Sequence, residues 1–182
     1  AGSVATRHRS AGKDVTMSYS TTAMFGKRAM SQITAEDYID WAVEMLEQGY
    51  DFRQLRILAV LDRKTTSRLE AGDYFLRCMK ELNLPAPDSE KAILAYAREA
   101  AQEIVEENIP ARKGVRNMFK FCLATDYDHD FVIWLELDDA LDLLIEGEDS
   151  YSYESATLEN FDSIAKLEAE KFIGVMNQRL AL

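Results

Sequence analysis

Residues 131–146 read Phe-Val-Ile-Trp-Leu-Glu-Leu-Asp-Asp-Ala-Leu-Asp-Leu-Leu-Ile-Glu. Whether this stretch is a strand or a helix decides the fold class. Its first seven residues, 131–137, are rich enough in β-branched and aromatic side chains to form a strand by composition. The continuation argues otherwise. Leu137, Ala140, Leu141 and Leu144 recur at spacings of three and four, the period of a helix face. One helix running to about Glu146 is therefore predicted.

The same period recurs upstream. Thr34 with Asp37 has the form of a capping box, with Ile39, Ala42, Val43 and Leu46 behind it and Gly49 as a stop. Asp51 is placed to cap a short helix through Leu61. Ser67 opens another, with a stripe of Phe75, Cys78, Met79 and Leu82, which must end before Pro85 and Pro87 because a residue preceding proline avoids the helical region. Ser89 starts the next, with Ile93, Tyr96, Ala97, Ala100 and Ile104 on one side, broken at Asn108-Ile109-Pro110. A fifth spans about Ala111 to Thr125 through Val115, Met118, Phe119 and Cys122. Downstream, Gly147 to Ala156 is polar and reads as a loop. A last helix begins near Leu158 and turns Phe161, Ile164, Ala165, Phe172, Ile173 and Met176 inward. Seven helices on short connections, with no repeat at solenoid period, predict an all-α single-domain bundle over residues 30–182.

Residues 1–29 are rich in Ser, Thr, Ala and Gly and show no sustained apolar period, so a disordered basic tail is expected. The chain starts at Ala1, and Met17, Met24 and Met30 are each open as starts. The segment is expected to be an upstream extension, with a basic, acid-poor transit peptide as the alternative.

Net charge is −11, unevenly spread: residues 1–29 carry +4, leaving −15 on the rest. That balance offers no basic footprint for nucleic acid. It repels phosphate and attracts cations and basic proteins. No apolar run approaches the ~18–20 residues of a membrane span. Cys78 and Cys122 lack any metal-ligand spacing and read as buried thiols of a cytoplasmic protein.

The acidity is concentrated. Residues 121–165 hold thirteen carboxylates and no Lys or Arg. On a helix over 131–146, Asp138/Asp142 and Asp142/Glu146 are i,i+4 neighbours, and Glu136/Asp139 and Asp139/Asp142 are i,i+3 neighbours. Such like-charge pairs cost a few tenths of a kcal/mol each, or about 1–2 kcal/mol for the face. A solvated face, a docking surface for a basic partner and a divalent-cation site each explain it. The docking surface would comprise Asp126, Asp128, Asp130, Asp138, Asp139, Asp142 and Glu146, with Tyr151 and Tyr153 as aromatic anchors.

Catalytic readings are thinner. Asp126, Asp128 and Asp130 have the 1, 3, 5 spacing of a calcium loop, but Phe131 and Leu137 stand where it needs Gly and Glu. His129-Asp130 is similar to the dipeptide of helical HD-type phosphohydrolases, whose further histidines are absent, the only other one being His8. The same shortage removes Ser–His–Asp and Cys–His systems. Glu103-Ile-Val-Glu106 and Glu136-Leu-Asp-Asp139 resemble the paired acidic motifs of MazG-type nucleotide pyrophosphohydrolases. That resemblance implies a Mg²⁺ held by Glu103, Glu106, Glu136 and Asp139. Composition alone supplies about five acidic i,i+3 pairs in such a chain.

Asn108-Ile109-Pro110-Ala-Arg-Lys-Gly114, then Phe131 to Ala140, then Glu168-Ala-Glu-Lys-Phe172-Ile173 resemble small all-helical bacterial proteins, some of which are toxin-immunity proteins. The resemblance implies a binder that neutralises a cognate toxin. Many nuclease toxins are basic, and an acidic surface would steer association with them. The expectation is thus a cytoplasmic, non-catalytic protein-binding module with no cofactor, no nucleic-acid partner and no membrane span. A homodimer is left open. The alternative is the Mg²⁺-dependent hydrolase.

Overall fold

The computed structural model describes residues 19–153 and 155–181. Within them the chain is helical with no strand, and residues 131–137 belong to a helix as the period requires. The helices are α1 (Tyr19–Ala29), α2 (Ala35–Glu47), α3 (Arg53–Ala59), α4 (Arg68–Glu81), α5 (Ser89–Val105), α6 (Ala111–Ala124), α7 (Val132–Glu146) and α8 (Phe161–Leu180), with a 3-10 turn at His129–Phe131 leading into α7.

Most boundaries follow from local chemistry. The Thr34 hydroxyl accepts from Asp37 N–H while the Asp37 carboxylate accepts from Thr34 N–H at 2.8 Å, closing the capping box at the start of α2. Ser67 caps α4 by accepting from Glu70 N–H. Gly147 takes a left-handed φ of +83° to end α7. One expected cap is corrected. Phe52, not Asp51, precedes α3, and Asp51 instead pairs with Arg56 at 3.2 Å. α5 starts at Ser89 as expected, and Asp88 caps it by accepting from Lys91 N–H at 2.7 Å. The last helix starts at Phe161, because Thr157 and Asn160 first close a turn on each other's backbone N–H groups.

The larger correction is α1. Residues 19–29, expected in the tail, form a helix whose Ala23, Met24 and Phe25 are buried. Its two threonines are buried too. Thr21 accepts from Trp41 Nε1 at 3.0 Å, so a hydroxyl fills a place that apolar periodicity scores as solvent. The tail expected for residues 1–18 lies outside the described residues.

Two apolar clusters make the core. One joins α1, α2, α3 and α4 around Phe75, whose ring is met edge-on by Phe25 and Trp41. The other joins α5, α6, α7 and α8 around Trp134, Phe131 and Phe172. α5 connects them, because it packs against α1, α6 and α8. Gly26 makes one crossing possible: a Cβ there would stand 2.3 Å from the Tyr96 Cβ of α5. Cys78 and Cys122 are free, buried thiols, one in each cluster. Among the described residues, no helix is long and apolar enough to cross a membrane.

Candidate functional site

α7 packs on α6, and this pairing decides what happens to the acidic stretch. Arg116 of α6 reaches across to α7. It donates to both carboxylate oxygens of Asp142 and lies 2.8 Å from Asp138 Oδ1. The hydrogen bond from Arg116 holds the Asp142 carboxyl below its ordinary range and raises the guanidinium in turn. Asp138 was expected on the solvated face and is buried instead. Burial pushes its carboxyl up, with Arg116 opposing, and the close approach of Arg116 to Oδ1 lacks hydrogen-bond alignment.

A second cation closes the other end. Arg179 near the end of α8 donates to Asp128 at 3.0 Å, to Asp130 at 2.9 Å and to Glu90 of α5 at 3.0 Å. Asp128 also accepts from Asp130 N–H, capping the 3-10 turn. His129 projects into solvent. Tyr153, expected as a free anchor, is half-buried and donates its hydroxyl to Glu168 Oε1 at 3.0 Å.

Four of the seven carboxylates proposed to bind a partner are therefore already engaged by the chain's own arginines. The partners are far apart in sequence, which is why the acidic run looked unopposed. Exposed carboxylates remain at Asp126, Asp139 and Glu146, and Glu148 and Asp149 extend them past Gly147. Tyr151 stands 76% exposed beside them in sequence, and Ile145, on the last turn of α7, is 60% exposed. Sequence reading passed over Ile145. Helix period puts it four residues after buried Leu141, on the core side, yet the helix ends one residue later.

The Mg²⁺ alternative is not assembled. Among the described residues no three His, Cys, Asp or Glu side chains converge in a metal-holding group. Glu103 lies on the last turn of α5 and Glu106 follows as its C-cap, and the Asn108 amide bridges the two at 3.4 and 3.1 Å. Glu136 and Asp139 lie on α7, and α6 packs against both of those helices. α5 and α7 would have to face each other for the four carboxylates to meet, and each packs mainly on its other neighbours instead. No known protein family, characterised protein or solved structure matches this chain.

Proposed function

We propose that this protein is a cytoplasmic, non-catalytic binding module that docks a basic protein segment on the C-terminal end of α7 and the loop that follows. The observation that carries the reading is one compact run, 139–151. It holds exposed Asp139, Glu146, Glu148 and Asp149 together with two exposed large apolar side chains, Ile145 and Tyr151. Exposed apolar anchors rimmed by charge of one sign are the composition of a docking patch rather than of a merely solvated face. The carboxylates speed encounter with a cationic partner, and the anchors lower its escape rate. The resemblance to toxin-immunity proteins gives the proposal a specific form, in which the occupant is a basic toxin.

The test is fluorescence anisotropy with a labelled lysine- and arginine-rich peptide at several salt concentrations. Asp139→Lys with Glu146→Lys should weaken binding about tenfold or more and flatten its salt dependence. Tyr151→Ala leaves the charge unchanged and should still cost about 1–2 kcal/mol, because an anchor is lost. A Tyr151→Ala protein that binds as well as the parent would reduce the patch to non-specific attraction and sink the docking reading.

A further inference from the structure

The acidic chain also holds a cationic cleft, on the side of the molecule built by α1, α2 and α4. Its volume is about 270 Å³, and Arg28, Ser31, Tyr38, Arg68, Gly72 and Asp73 contribute to its lining. Neither Arg28 nor Arg68 has an ion-pair partner among the described residues, unlike Arg116 and Arg179. Arg28 donates through Nη1 to the Tyr38 hydroxyl at 3.0 Å. Tyr38 is 1% exposed, and none of the described residues accepts the proton of that hydroxyl. A buried phenol with an unspent donor normally finds a partner. Gly72 leaves room for this arrangement, since a Cβ there would come within 3.2 Å of Arg28 Nη1 and 3.4 Å of the Tyr38 hydroxyl.

The placement of Arg68 adds a second strain. It is the first residue of α4, where the helix dipole disfavours a cation. In that first turn Glu70 N–H is capped by Ser67, and the N–H groups of Arg68 and Leu69 lack acceptors inside the helix. Two guanidinium groups, a helix start and a free phenol proton thus converge on one hollow, opposed by the single carboxylate of Asp73. An anion in the cleft would relieve each of these at once.

We propose that the cleft binds a small phosphate monoester, with Arg28 and Arg68 gripping its oxygens and the Tyr38 hydroxyl donating from the floor. A carboxylate presents two oxygens in a plane, which one guanidinium satisfies. Donors arriving from two arginines and a phenol suit the three oxygens of a tetrahedral dianion better. The site is separate from the α7 patch and stands or falls independently of it.

The experiment is a ¹H–¹⁵N NMR titration of the full chain with inorganic phosphate at constant ionic strength, repeated with acetate. Saturable shifts are expected at the Ser31, Arg68 and Gly72 amides, with acetate weaker by about tenfold. Arg28→Gln and Arg68→Gln should each weaken phosphate binding by about tenfold or more, the loss expected for a charge-assisted hydrogen-bonding pair. Both arginines are exposed, so unchanged spectra elsewhere will show that the variants fold. Shifts that do not saturate, that fall outside the cleft or that survive both substitutions would overturn the proposal. Equal binding of acetate would overturn the assignment to phosphate.

Discussion

Glu99 shows how much one side chain can reveal about this bundle. It sits on α5, which packs on α1, and one of its carboxylate oxygens is buried without a partner. Burial lifts its carboxyl from about 4.5 to about 7, against a hydrogen bond from Thr22 and the charge of Arg98. The folded state therefore holds this proton more tightly than the unfolded chain does. Below pH 4.5 both states carry it and the residue contributes no slope. As pH rises from 4.5 to about 7 the unfolded state ionises first, stability falls, and the loss is complete above the folded value. Glu99→Gln should raise the melting temperature more at pH 8 than at pH 5. Equal gains at both pH values in thermal melts would refute this account of Glu99. Nothing in the sequence singled out Glu99, because an acid on a long amphipathic helix looks solvated until its neighbour is known, and that neighbour, α1, was read as tail.

Helix by helix, the sequence was a good guide wherever a boundary was written in local chemistry. The Thr34 capping box, the Ser67 cap, the prolines at 85, 87 and 110 and the glycine at 147 each act on backbone groups within a few residues, so they need no tertiary context. The 131–146 helix was legible because its period extended past the ambiguous first half. α1 was not legible, because it buries threonines and a glycine. Those residues are chosen by the helix they touch. Gly26→Ala tests that claim. An exposed helix site would gain about 1 kcal/mol from the substitution. Here the new methyl would collide with the base of the Tyr96 side chain, which cannot swing aside. The expected result is a net destabilisation of about 1–3 kcal/mol in urea denaturation. A stabilised variant would mean that α1 does not approach α5 so closely. The candidate site was legible only in part for the same reason. The carboxylates of α7 and its leading turn were plain in the sequence, but the arginines facing them come from α6 and α8.

Across the molecule, the question is whether two apolar clusters behave as one. The chain's two tryptophans report on them separately, Trp41 in the first and Trp134 in the second. α5 contributes Ala92 to one cluster and Leu94 onward to the other, with α1 against its flank. A shared helix of this kind couples the two halves. Trp41→Phe and Trp134→Phe variants, each followed by the fluorescence of the remaining tryptophan, should unfold in guanidinium with midpoints that coincide once each variant's own stability change is measured by circular dichroism. Fluorescence transitions displaced from the circular dichroism curve would instead reveal two units that melt apart.

The arginines that cross to α7 and its leading turn have one more consequence. Arg116 and Arg179 occupy their carboxylates intramolecularly, so they act as tethered rivals present at high effective concentration. An incoming cationic chain must either outcompete them or settle for the groups they leave over. Weakly basic passers-by are thereby turned away from Asp128, Asp130 and Asp142, while the open end near Tyr151 stays available. Under the proposed docking function, the fold sets an affinity threshold on its own acidity, and that threshold would make so acidic a surface selective.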